Sequence, residues 1–213
     1  MTVSPLRRAE ARAHQAIEVV YQAFVGPVPA SIEGCPCCID TRGVDVLIST
    51  PLRQISGDAL WQYVSGVFYT VGSGCDFRYL LPRILEVDIH EPGNSNDPEI
   101  VLTKLGLANW LSWTECESRA IEGVVDAWFE LALARDVAEA DGDWIGHEAE
   151  SVLCGASRAG FSLQRWLIRL HQPDAAPVLT DLKERYPDEL SAFWEEVPEG
   201  FKEFATILSQ GQS

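Results

Sequence analysis

The stretch SRAIEGVVDAWFELALAR, residues 118–135, is the clearest helical pattern in the chain. Its apolar side chains recur at the three- and four-residue spacing that places them along one face of an α-helix: Ile121, Val124, Val125, Trp128 and Ala132. Glu122, Asp126 and Glu130 recur every four residues on another face. The stretch therefore predicts a long amphipathic helix, with an apolar stripe in the core and a line of carboxylates towards solvent.

Weaker helical patterns cover most of the remaining chain, and glycine or proline separates one pattern from the next. The segments are residues 6–24, 56–72, 75–90, 143–156, 160–172, 176–186, 187–197 and 199–210. Together they predict an all-α fold, one compact and mainly helical domain over residues 1–213 with about eight to ten helices. The apolar run VDVLIST, residues 44–50, predicts a short strand, so we expect at most one small β element, near residues 44–49.

The net charge of −16 limits the classes of partner. Nucleic acid and anionic membrane surfaces both attract Lys and Arg, so this charge argues against binding to either. No apolar run reaches the roughly 18 residues of a membrane-spanning helix, so no membrane span is expected. Residues 1–20 carry basic residues without a continuous apolar core, which predicts an amphipathic helix and no signal peptide. We therefore expect a cytoplasmic protein.

Acidic residues are concentrated between positions 113 and 150, where eleven carboxylates accompany only Arg119 and Arg135. Nine of them form what we call the acidic belt: Glu115, Glu117, Glu122, Asp126, Glu130, Asp136, Glu139, Asp141 and Asp143. One interpretation is a solvated face, since charge keeps a protein soluble. The other is a docking surface for a basic protein partner.

The most unusual local sequence is IEGCPCC, residues 32–38, inside a loop at 25–43 that is rich in glycine and proline. Thiolates from this cluster would hold a structural zinc ion in tetrahedral geometry, with a fourth thiolate after the flexible turn GSG: the predicted ligands are Cys35, Cys37, Cys38 and Cys75. His90 and Cys116 are weaker choices for the fourth ligand. The other structural interpretation is that the cysteines pack as small apolar side chains.

The same cluster allows an alternative function, a zinc- or thiol-dependent enzyme or a redox sensor that uses Cys35, Cys37 and Cys38. Residues 35–38 contain the C-P-x-C pattern of glutaredoxin-like sites. Such a site needs a preceding strand and a helix whose N-terminus lowers the thiol pKa. Here a loop precedes the cluster and IDTRG follows it, so the local sequence favours a structural role.

Three arginines follow one another at helical spacing in the C-terminal half: Arg158, Arg165 and Arg169. A phosphate site is one interpretation, because guanidinium groups bind phosphate oxygens in pairs. We expect instead that these arginines pair with the excess carboxylates of the chain itself.

The segments IEGCPCC and FRYLLPRILE together resemble a family of uncharacterised bacterial proteins. In that family a G-C-P-C-C element is followed by a segment similar to PLRQISGDALWQYV and by a helix with L-P-R-x-L-E. The resemblance covers about residues 30–90 and implies a small standalone bacterial protein, with no activity attached. The family has a His two residues before the Leu-Pro, where this chain has Tyr79 or Leu80. A metal held through that His would need another ligand here.

The sequence holds no complete catalytic constellation, and it combines seven tryptophans with a strong excess of acids. Aromatic side chains beside charged ones are typical of protein interfaces. Toxins that act on nucleic acids or nucleotides tend to have basic active sites, which an acidic surface attracts and covers. We therefore expect a non-enzymatic binding protein, specifically an immunity protein that occludes a toxin domain.

Cys37→Ser or Cys38→Ser should lower the melting temperature and leave partner binding measurable in the folded fraction. A zinc ion would add its binding free energy to folding, and lost packing would also destabilise the loop. Thermal unfolding with elemental analysis checks this, since near-stoichiometric zinc supports ligation and zinc-free protein supports packing. A Ser variant of unchanged stability that has lost all activity would contradict both structural roles.

Overall fold

The computed structural model describes residues 4–35, 43–140, 145 and 147–209. Over these residues the protein is all-α, with ten α-helices: α1 Pro5–Ala23, α2 Val44–Ser49, α3 Gly57–Gly66, α4 Gly74–His90, α5 Pro98–Leu107, α6 Glu115–Ala140, α7 Glu148–Arg158, α8 Gln164–Leu170, α9 Ala176–Arg185 and α10 Pro198–Leu208. Short 3₁₀ helices connect several of them: Leu52–Gln54, Pro92–Asn94, Trp110–Ser112, Pro173–Ala175 and Ala192–Glu196. The predicted all-α class is confirmed. None of these helices is both long enough and apolar enough to cross a membrane.

The strand predicted near residues 44–49 is wrong, because this segment forms the short helix α2. Val44 and Leu47 are buried three residues apart, while Asp45 and Val46 between them face solvent. That spacing is helical, but a short run of apolar residues does not reveal its period without flanking context. The part of the chain that the structure describes contains no sheet, only isolated bridges at Gly34–Val71 and Val67–Val71.

The long helix α6 is the centre of the packing, with α1, α7 and α9 against it. Its 26 residues span about 39 Å at 1.5 Å per residue. All five residues of the predicted apolar stripe are buried, and so are Phe129, Leu131 and Leu133 beyond it. The buried surface is therefore wider than one stripe, since neighbouring helices cover α6 on more than one side.

Helices α1 and α6 are antiparallel. The first turns of α1, with Pro5 and Ala9, lie beside Leu133 and Val137 of α6. Near its other end, Val19 lies beside Gly123. The first helix of the chain therefore covers α6 along most of its length, and it does so with the buried residues Ala13, Ile17 and Val20, among others.

The pair α5 and α7 packs closely because one position carries no side chain. A Cβ atom on Gly155 of α7 would lie 2.6 Å from the backbone oxygen of Pro98, at the first position of α5. Only glycine permits that separation. The two helices therefore meet backbone to backbone at this point.

A buried carboxylate on α6 caps the start of α7. Asp136 has no solvent exposure, and its two oxygens accept hydrogen bonds from the backbone N–H groups of Glu148 (3.1 Å) and Ala149 (2.8 Å). These are two of the N–H groups that a helix start leaves without an intrahelical partner. Burial raises the pKa of Asp136 to about 7, and the neighbouring carboxylates of Glu148 and Glu139 act in the same direction.

Asp136→Asn should flatten the pH dependence of stability between pH 4 and 7. An unfolded Asp has a pKa of about 3.9, so in this window the native state binds more protons than the unfolded state. The free energy of unfolding then falls as pH rises, by up to roughly 1.4 kcal/mol per unit of pH from this group. Asn does not titrate, so the variant loses that slope.

Denaturant unfolding at several pH values measures the difference in slope between the wild type and the variant. Glu122→Gln is the matched control, because Glu122 is an exposed carboxylate on the same helix, fourteen positions from Asp136. Equal slopes for wild type and Asp136→Asn would contradict the assignment.

Candidate protein-binding surface

The first part of the cysteine loop is attached to the chain just before α4. Cys35 donates its backbone N–H to the oxygen of Thr70 (2.8 Å), and Gly72 donates to the oxygen of Glu33 (2.7 Å). The side chain of Ile32 is buried in the core beside this attachment. Residues 31–35 are therefore fixed against residues 70–72 by main-chain hydrogen bonds.

The structure brings two of the four predicted zinc ligands to neighbouring segments. Cys75 is exposed in the first turn of α4, three residues after Gly72, while Cys37 and Cys38 lie outside the described residues. Within the described residues no group of three or more His, Cys, Asp or Glu side chains is arranged to hold a metal ion. The zinc site stays a prediction.

His90, a weaker choice for the fourth ligand, is unsuitable. It is the last residue of α4, whereas Cys35 is hydrogen-bonded to Thr70, just before the first residue of that helix, so about 24 Å of helix lies between His90 and the end at which Cys35 is held. A single metal ion cannot bind side chains at both ends of such a helix, because zinc–ligand bonds are only about 2.0–2.3 Å long.

Three carboxylates of the acidic belt are paired with arginines of the chain itself. The pairs are Glu115 with Arg119, Asp126 with Arg165 (2.7 Å), and Glu130 with Arg169 (3.1 Å). Arg158 pairs with Glu196. The expectation that Arg158, Arg165 and Arg169 serve internal ion pairs is confirmed, and the belt loses part of its outward charge.

Two further belt residues are buried and hold helix ends. Asp136 caps α7, as described above. Glu117 accepts from the N–H (3.0 Å) and the hydroxyl (2.7 Å) of Thr114, and Thr114 accepts weakly from the N–H of Glu117. This reciprocal arrangement is a capping box, whose sequence signature T-x-x-E stands at residues 114–117. Glu117 also forms an ion pair with Arg78. The T-x-x-E signature therefore indicates the structural role of Glu117 better than the run of acidic residues at 113–150 does.

The remaining described members of the belt are Glu122 and Glu139, which are exposed and form no ion pair with any described residue. Seventeen residues separate them along α6, which corresponds to about 25 Å. Asp141 and Asp143 lie outside the described residues. Over the described residues the belt is therefore not one continuous acidic surface.

A denser group of exposed carboxylates extends from the end of α9 to the start of α10. We call residues 184–199 the C-terminal acidic segment; its exposed carboxylates are Glu184, Asp188, Glu189, Glu195, Glu196 and Glu199. The aromatic side chains of Tyr186 and Phe193 are half-buried among them. This combination of acids and partly exposed aromatic rings is typical of protein-binding surfaces.

The C-terminal acidic segment is held on α7 by the buried carboxylate of Glu150. This group accepts hydrogen bonds from the N–H of Ser191 (2.7 Å), the indole N–H of Trp194 (3.2 Å) and a guanidinium N–H of Arg185 (2.6 Å). Ser191 also donates its hydroxyl to Glu99 of α5 (2.9 Å). These hydrogen bonds therefore hold the segment that carries the exposed carboxylates against α5 and α7.

The interior beside this network contains a thiol with no nucleophilic role. Cys154 of α7 is fully buried, and its burial raises the pKa of the thiol well above the ordinary value. Because the thiolate is the reactive form of cysteine, this residue contributes packing. Burial likewise raises the pKa of Glu99.

The sequence matches no family model, and neither a curated protein nor a solved structure shows significant similarity to it. The resemblance of residues 30–90 to a bacterial family therefore stays an expectation.

Glu150→Ala should lower the free energy of unfolding by at least about 2 kcal/mol, because it removes three hydrogen bonds to a buried carboxylate, although Arg185 keeps its ion pair with Asp181. Glu150→Gln keeps the shape and an acceptor oxygen, so it should cost less. Urea unfolding gives both values. Glu184→Ala, on the exposed surface of α9, serves as the control and should change stability by no more than about 0.5 kcal/mol. A Glu150→Ala variant as stable as this control would refute the role of the network.

Proposed function

We propose that this protein is a non-enzymatic acidic binding protein, an immunity protein that occludes a basic toxin domain. The observation that carries the proposal is that most of the described arginines are paired within the chain. Of the twelve arginines that the structure describes, at least nine form ion pairs with carboxylates of the same chain: Arg53, Arg78, Arg83, Arg119, Arg135, Arg158, Arg165, Arg169 and Arg185. The carboxylates that remain in excess therefore make the electrostatic potential around the protein negative.

The proposed docking surface is the C-terminal acidic segment. Two of its six exposed carboxylates, Glu196 and Glu199, pair with Arg158 and Lys202. The others face solvent and attract a cationic surface at distances up to about 8 Å at physiological ionic strength. Such a field raises association rates with basic proteins and orients them before contact.

Aromatic side chains supply the contact that charge alone does not give. Tyr186 and Phe193 are partly accessible, and Phe193 lies under the guanidinium of Arg158, 4.7 Å from the ring centre. Rings with one face packed and one edge open contribute strongly to binding at little entropic cost. In this proposal the carboxylates attract the basic active site of a toxin, and the aromatic rings make the close contacts that cover it.

Asp188→Lys combined with Glu189→Lys should reduce the association rate with the basic partner by at least about tenfold at low salt, and weaken its salt dependence. The binding probe is the protein encoded by the neighbouring gene, measured by biolayer interferometry at two salt concentrations. Glu115→Lys combined with Glu139→Lys, on the acidic belt, makes the same change in net charge on α6 and should have a smaller effect. If neither pair of reversals changes the rate, or if the probe is not basic and does not bind, the proposal fails.

A further inference from the structure

Two histidines lie beside each other where α1 packs on α4. His14 is in the middle of α1, and His90 is the last residue of α4. The centres of their rings are 6.2 Å apart, and the ring planes are inclined to each other by 49°. Both side chains are exposed. The pair is therefore accessible to an ion from solvent.

The separation of the two rings fits a single metal ion between them. A zinc–nitrogen bond is about 2.0–2.1 Å long and a ring nitrogen lies about 1.2 Å from its ring centre, so two rings on one ion have centres up to roughly 6.4 Å apart. In a tetrahedral site the centres are about 5.2 Å apart. The rings must therefore approach each other by about 1 Å, and an exposed side chain such as that of His14 supplies this movement by turning about its own bonds.

Contacts on either side of the pair hold the two helices in this register. Tyr21, seven residues after His14 on α1, donates its hydroxyl to Glu86 of α4 (2.6 Å). The end of α4 is attached to α6, because Arg135 donates to the backbone oxygen of Ile89 (2.9 Å). The backbone that carries both histidines is therefore already ordered, and the binding of an ion needs little further ordering.

The charges around His90 favour a neutral ring and a bound cation. Desolvation lowers the pKa of His90, and His14 and Arg135 act in the same direction. The neutral imidazole is the form that binds metal. Glu86 and Glu10 act on the pKa in the opposite direction, so both carboxylates lie within electrostatic range of the ring. A cation at the last residue of α4 also meets the negative end of the helix dipole.

We propose that His14 and His90 together bind one late first-row divalent metal ion, represented by Zn²⁺, which bridges α1 and α4. Imidazole nitrogen is a favoured ligand of zinc, copper and nickel. Water takes the remaining coordination positions, so the site is open, unlike a closed structural site with four protein ligands. It lies at the opposite end of α4 from Cys75. It is therefore distinct from the predicted cysteine site, and the proposed function does not depend on it.

A zinc titration of the full chain tests the site, with the ¹⁵N-labelled histidine rings followed by NMR. The chain has four histidines, so His147 and His171 serve as internal controls. The signals of His14 and His90 should shift together and share one midpoint, at least about tenfold below any response of the controls, because two linked ligands bind more tightly than one. Zinc bound by the cysteine loop would not produce this joint response.

His14→Ala and His90→Ala each leave a single imidazole at the site. In either variant the remaining ring should respond with a midpoint at least about tenfold higher, since the second ligand is lost. His171→Ala is the matched control, because it removes an exposed histidine just after α8 and should leave the midpoint within about twofold. Cys75→Ser, at the other end of α4, should also leave it within about twofold.

Thermal unfolding without metal shows that the variants remain folded, since exposed substitutions of this kind change stability little. Three results would each overturn the proposal: wild-type His14 and His90 signals that do not move up to 1 mM zinc, two rings with different midpoints, or a His14→Ala variant in which His90 keeps the wild-type midpoint.

Discussion

A carboxylate removed from water is stable only where donors surround it, and two such groups fix α7 in this protein. Asp136 holds the first N–H groups of α7, and Glu150 binds Ser191, Trp194 and Arg185 from the C-terminal part of the chain. Desolvation of an unpartnered charge costs several kcal/mol. Moving the donors away from either carboxylate would therefore destabilise the fold. The position of α7 between α6 and the last helices follows from these two requirements together with the close contact at Gly155.

The helices were predictable from sequence where their pattern was long. All five stripe residues of α6 are buried because a period maintained over eighteen residues leaves one orientation that covers them. The strand predicted for residues 44–49 is wrong because six residues fit a strand and a helix equally well. Spacing predicted the existence of helices better than it predicted their ends.

The candidate surface was less predictable, because charge patterning shows which face of a helix a carboxylate occupies and not what it binds. Glu117 and Asp136 belong to the belt by composition, yet they hold helix ends. The C-terminal acidic segment depends on contacts between residues far apart, such as Ser191 with Glu99, which are 92 positions apart. No pattern in the local sequence predicts a contact between residues so far apart. Within the described part of the belt, the T-x-x-E signature before α6 is a local signal that separates the structural carboxylate of Glu117 from the exposed ones.

Two hydrogen bonds between main-chain atoms attach residues 33–35 to residues 70–72. Any non-proline residue supplies the same N–H and C=O groups. These two hydrogen bonds therefore do not depend on which side chains the loop carries. Cys35 contributes its backbone N–H to this attachment. A loop held in this way can exchange its side chains, and with them its chemistry, while its starting point on the helical scaffold stays in place. In evolutionary terms, the anchored loop is a site at which the protein can acquire or lose a ligand set without first having to refold.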